Sequence, residues 1–87
     1  LPTSYEFFAN NEALEFIEDE NNFYKPTLWM KLLLWNSKYK MLNRKQENMI
    51  KYMRALGNNN NALTKKQADY VKDIFFFAVK SGFQYNI

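Results

Sequence analysis

The 87-residue chain has no cysteine and no histidine, two glycines, two prolines, and no apolar run long enough to span a bilayer. Each absence excludes something. Without cysteine there are no disulfides and no thiolate ligands, which suits a reducing compartment. Without histidine as well, the usual activated nucleophiles and the commonest metal ligands are missing. Scarce glycine and proline argue against a turn-rich β fold. A membrane span needs about 20 consecutive apolar residues, and the most apolar stretch, Leu28 to Trp35, is interrupted by Lys31. No secretory leader is visible. The chain therefore reads as intracellular, in the cytoplasm, with no membrane partner; its start at Leu1 suits a domain taken from a longer protein.

What is abundant is ring and charge. Hydrophobic residues make up 47% of the chain and aromatics 18%, which matters because a domain this short buries only about 60% of its unfolded surface and needs a dense core. The net charge of +3 conceals a division. Residues 1–24 hold Glu6, Glu12, Glu15, Glu18, Asp19 and Glu20 and no cation, a sum of −6, whereas residues 25–87 hold all 12 cations and three acids, a sum of +9. One domain is expected over 1–87, with an acidic leader at 1–24 and a basic helical body at 25–87.

Periodicity predicts helices along the body. Ser4 is placed to cap a short turn over Tyr5 to Ala9, an extended leader being the alternative, and Asn11 to cap a helix running to about Glu20, closed by Asn21-Asn22. Pro26 favours a helix starting just after it. In that helix Leu28, Leu32, Trp35 and Tyr39 form one apolar stripe, with Trp29, Leu33 and Asn36 beside it. A pattern then occurs twice: Leu42-Asn43-Arg44-Lys45-Gln46 is echoed 21 residues later by Leu63-Thr64-Lys65-Lys66-Gln67. In each copy a capping residue stands three positions before a glutamine that reaches back to it, the arrangement of a capping box. The apolar positions that follow are Met49, Ile50, Met53 and Leu56, then Tyr70, Val71, Ile74 and Phe77. Gly57 and Gly82 suit helix ends, and Asn58 to Asn61 a short exposed loop. The expected fold is all-α: a small compact bundle of four to five helices with a C-terminal antiparallel helical hairpin.

Signatures of catalysis are not found. There is no glycine-rich phosphate loop, and Ser4, Ser37 and Ser81 have no visible base. Glu15, Glu18 and Asp19 share a helix face but lack the alternating ligands and central glycine of a calcium loop. No catalytic residue, metal or cofactor is assigned. The better constellation lies on the outer faces of the repeat helices. With Val71 as the inward reference and 100° per residue, Lys65, Lys72, Phe76 and Lys80 fall away from the core, and Arg44, Lys51 and Tyr52 do so in the first copy. Cations neutralise phosphates and rings stack on unpaired bases. The nucleic-acid-binding set is therefore Arg44, Lys45, Lys51, Tyr52, Lys65, Lys66, Lys72, Phe76 and Lys80, with single strands favoured. Asp69 and Asp73 share the second face and oppose it. Phe75-Phe76-Phe77 spans 200° of helix and cannot all face one core. Phe76 is the expected outlier, covered by another segment of the chain or left for a partner.

The two copies, above all Leu63-Thr64-Lys65-Lys66-Gln67-Ala68-Asp69-Tyr70-Val71, resemble helical segments of the form Leu-Thr/Ser-x-Lys-Gln in phage DNA-metabolism proteins. In those proteins the segments are accessory to helicase or recombination activities. The resemblance implies a non-enzymatic accessory module of a phage or mobile-element protein, acting on nucleic acid. The alternative is a protein-protein interaction module, or a small inhibitor, working through the acidic leader or an exposed aromatic surface.

Overall fold

The computed structural model describes residues 11–56 and 63–85, and both capping boxes read from the repeat are formed. Thr64 Oγ1 accepts from the Gln67 N–H at 3.1 Å while the Gln67 side chain accepts from the Thr64 N–H at 3.0 Å. Asn43 and Gln46 make the same reciprocal pair at 2.8 and 3.0 Å. Each box satisfies two backbone donors that a helix start otherwise leaves unpaired. The turn expected over Tyr5 to Ala9, the Gly57 helix end and the Asn58 to Asn61 loop lie outside the described residues.

Five helices succeed one another there: α1 (Asn11–Glu18), α2 (Glu20–Phe23), α3 (Pro26–Tyr39), α4 (Arg44–Leu56) and α5 (Lys65–Lys80). The protein is a small all-α bundle. No helix among the described residues is long and apolar enough to cross a membrane. Two expectations at the N-terminal side are corrected. Asn11 is the first residue of α1 rather than its cap, and Asn21-Asn22 belongs to α2 rather than to a connector. The reason is Asp19, whose carboxylate accepts from the Asn21 N–H at 2.9 Å and starts a new turn. Asn22 then bonds back to the Phe16 carbonyl at 3.0 Å, joining α2 to α1.

α3 begins with Pro26 in its first turn, where the missing N–H costs nothing. It ends at Lys40, which adopts the left-handed conformation (φ 54°, ψ 47°) and donates its N–H to the Asn36 carbonyl at 2.7 Å. α5 ends as a Schellman turn. Gly82, at φ 110°, donates to the Val79 carbonyl at 3.1 Å, and Phe83 donates to the Ala78 carbonyl at 2.9 Å and buries its ring.

The core draws on every helix: Ala13 and Ile17 from α1, Phe23 from α2, Leu28, Trp29 and Leu32 from α3, Ile50 and Met53 from α4, and Val71, Ile74, Phe75, Phe76 and Ala78 from α5. Phe75 is its hub, with the rings of Phe16, Trp29, Phe76, Phe83 and Tyr85 at centroid distances of 5.4 to 6.5 Å. Trp29 is fully enclosed, and its indole N–H donates to the Phe23 carbonyl at 2.7 Å, tying α2 to α3. The acidic segment is thus a wall of the core. A radius of gyration of 12.0 Å agrees with this, being the roughly 12 Å of a compact chain of this length.

Two buried arcs differ from the periodicity. On α3 the interior takes Leu28, Trp29, Leu32 and Asn36, while Trp35 is half-buried and Tyr39 exposed. The arc is rotated because α3 packs most extensively on α4, whose first turn receives Asn36. On α5, Phe76 is 2% exposed and Phe77 39% exposed: Phe76 is covered within the fold, one of its two expected outcomes, whereas Phe77 leaves the inward set expected from Val71. Packing of α1 and α2 along α5, with Phe16 against Phe75 and Phe23 beside Lys72, extends the buried arc past 180° on that side. Phe77 on the opposite flank stays outside.

Candidate nucleic-acid interface

The structure separates the nine residues selected from the repeat into three groups. Arg44, Lys45, Lys51, Tyr52, Lys65, Lys66 and Lys80 keep exposed side chains. Lys72 is half-buried, with its Nζ 5.6 Å from the Phe23 ring, in a small hollow also lined by Glu18 and Glu20. It is engaged within the fold by a cation-π contact. Phe76 is a core residue, so it offers no face for stacking and leaves the candidate set.

The exposed cations of α4 divide further. Lys45 turns toward α5, its Nζ 5.8 Å from the Tyr70 ring. Lys51 turns the other way, toward α3. There a cleft of about 740 Å³ opens, lined by Leu33, Asn36, Ser37 and Lys40 at the C-terminal end of α3, by Leu42 in the connection, and by Glu47, Lys51 and Arg54 of α4. Glu47, Lys51 and Arg54 recur at spacings of four and three, so they stand on one side of α4. Three cations therefore meet one carboxylate, from two helices, across a single depression.

Asn36 builds the floor of this cleft. It is 3% exposed, and its amide is used at both ends: Nδ2 donates to Glu47 Oε2 at 2.9 Å, and Oδ1 accepts from the Leu42 N–H at 2.8 Å. Its orientation is unambiguous, because a backbone N–H can only donate and a carboxylate only accept. The other Glu47 oxygen pairs with Lys51 Nζ at 3.3 Å. Both groups of that pair are well solvated, so it is worth a fraction of a kcal/mol, about 0.3–0.5 for such helix pairs. Lys51 thus stays available to a phosphate.

Lys40 and Arg54 are the cleft cations that the repeat does not reveal. Lys40 caps the end of α3, outside both copies, and Arg54 has no cationic counterpart at the matching position of the second copy, where Phe75 stands. Lys40 joins the cleft because the end of α3 lies beside the start of α4, and Arg54 because it stands one turn beyond Lys51. On α5 the electrostatics oppose anion binding in part. Burial and then neighbouring Asp69 push the Asp73 carboxyl above the usual carboxylate range. Among the described residues no three acids converge, and Glu15, Glu18 and Asp19 do not form a cluster.

No protein-family model, curated protein or solved structure matches this chain.

Proposed function

We propose that the protein is a non-enzymatic nucleic-acid-binding accessory module of a phage or mobile-element DNA replication or recombination protein, working inside the cell on single strands. The observation that carries this reading is the convergence of Lys40, Lys51 and Arg54 on one cleft against the single acid Glu47. The backbone of two packed helices fixes where these cations start, so that their side chains can reach successive phosphates of one strand. Arg44, Lys45, Lys65, Lys66 and Lys80 widen the basic surface, and the exposed ring of Tyr52 is available for stacking. Residues 25–87 supply the field, at a sum of +9, that draws a polyanion to the surface.

A second reading, a protein-interaction module, is favoured by the outer side of α3. There Met30 and Leu34 stand one turn apart, 40% and 66% exposed. A titration with single- and double-stranded oligonucleotides across salt concentrations separates the two. Phosphate contact makes affinity fall steeply with salt, whereas an apolar docking face leaves no oligonucleotide binding to titrate.

A further inference from the structure

The apolar stripe of α3 outruns the core that it serves. Leu28 and Leu32 are buried, but Trp35 is half-buried and Tyr39, at the last residue of the helix, is 54% exposed. Together with the chain leaving α5 these rings wall a cleft of about 490 Å³, lined by Lys31, Trp35, Tyr39, Gly82, Phe83 and Gln84. That volume is in the range of small-molecule sites, roughly 300–1,000 Å³.

We propose that this cleft takes an unpaired nucleobase of a bound single strand, a proposal that rests on the nucleic-acid reading above and gives it a second subsite.

Three features select a base over other occupants. The first is ring geometry. Trp35 lies 5.8 Å from Tyr39 at 43° and 5.9 Å from Phe83 at 59°. Rings splayed in this way do not cover one another's faces, so a flat aromatic ligand can enter against them. Phe83 is buried and holds Trp35 from below, which limits the entropy lost when Trp35 is stacked upon. The second is space. A Cβ built on Gly82 meets no atom within 4 Å, so the floor beside the rings is open.

The third is charge. No carboxylate lines the cleft, Lys31 does, and Lys38 Nζ sits 5.2 Å over the Tyr39 ring. A base carries its phosphates with it, and cations around a ring platform suit that combination. The exposed amide of Gln84 can both donate to and accept from a base edge. Tyr39 and Lys40 are consecutive, one lining this cleft and the other the cationic cleft. Both clefts therefore open at the C-terminal end of α3, where one strand can place a base in the first and phosphates in the second.

The two tryptophans make the test direct. Trp29 is fully enclosed, so Trp35 is the indole that a ligand can reach. The full chain is titrated with an oligothymidylate of about twelve nucleotides and with an abasic strand of the same length. Emission of tryptophan is read beside the anisotropy of end-labelled strands. The expected result is saturable quenching by oligothymidylate alone, and affinity for it lower in Tyr39→Ala by roughly 5- to 150-fold. Abasic strand binds both proteins equally. A thermal melt shows that Tyr39→Ala is folded. If oligothymidylate binds by anisotropy without quenching, and Tyr39→Ala binds as tightly as the parent, the base subsite is wrong while the nucleic-acid reading stands. If neither strand binds, the underlying reading fails and the subsite with it. Quenching by peptides but not by oligothymidylate overturns the base assignment in favour of a protein ligand.

Discussion

Asn36 Nδ2 donates to Glu47 Oε2 at 2.9 Å, joining the last turns of α3 to the first turn of α4. The same amide accepts the Leu42 N–H, so one buried side chain sets both the course of the connection and the angle at which α4 leaves it. The cationic cleft depends on this corner, since Lys40 precedes it and Lys51 and Arg54 follow it.

Asn36→Leu removes both bonds without changing the size of the side chain greatly. It leaves the Leu42 N–H without its partner, and such a loss costs about 1–3 kcal/mol. Urea denaturation should show a lower midpoint at an unchanged slope. Glu47→Gln behaves differently: its amide oxygen still accepts from Asn36, so stability changes by less than about 0.5 kcal/mol. Removing the one carboxylate of the cleft should at the same time tighten oligonucleotide binding, measured by anisotropy.

Lys40 holds a left-handed conformation that glycine adopts more easily. A non-glycine residue there costs on the order of 1 kcal/mol. Lys40→Gly is therefore expected to raise the melting temperature by a few degrees, roughly 4–8 °C per kcal/mol for a domain of this size. The same substitution should weaken oligonucleotide affinity. A variant that is both more stable and a poorer binder shows that the lysine is held there at a cost in stability and contributes its charge to binding.

Asp73 gives the pH dependence. Burial and then Asp69 raise its carboxyl in the folded state. The folded protein consequently holds this proton more tightly than the unfolded chain, and stability falls as pH rises from the unfolded value through the raised folded one. At neutral pH the charged form is a cost. Like charges at this spacing destabilise by about 0.2–0.5 kcal/mol, and solvent screening keeps the figure at the low end. Asp73→Asn should raise the melting temperature by about 1–3 °C at pH 7. Below the carboxylate range the gain should disappear, as differential scanning calorimetry at both pH values would show.

Phe75 tests the core. Five rings surround it, and replacing a buried phenylalanine by alanine costs about 3–5 kcal/mol. Since a domain's whole stability is about 5–15 kcal/mol, Phe75→Ala should lose a large fraction of it and melt, by circular dichroism, at a much lower temperature than the parent. Phe77→Ala, three-fifths buried at most, should stay folded.

The helices were legible in the sequence where the signal is local. A capping box needs only residues three apart, so Asn43-Gln46 and Thr64-Gln67 could be read directly, and Gly82 with Phe83 likewise specifies its own turn. What local pattern does not carry is which neighbour covers which flank. Phe76 is buried and Phe77 exposed on a helix that α1 also packs against, through Phe16 on Phe75, and a neighbour some 60 positions away leaves no mark in the local pattern. Asn36 falls beside the apolar stripe in sequence, yet its burial depends on Glu47 and Leu42 arriving as partners. The candidate site was half legible for the same reason. Lys51 is visible in the repeat, but Lys40 and Arg54 join it only once α3 and α4 pack together.

The central claim is that the α3–α4 cleft binds phosphates, and the salt dependence of single-strand affinity tests it most directly. With three cleft cations engaged, the logarithm of the binding constant should fall against the logarithm of salt with a slope of about −2 or steeper. Changing Lys40, Lys51 and Arg54 together to glutamine should flatten that slope by about 2. Absence of binding at about 50 mM salt, or a slope that the triple variant leaves unchanged, would contradict the account.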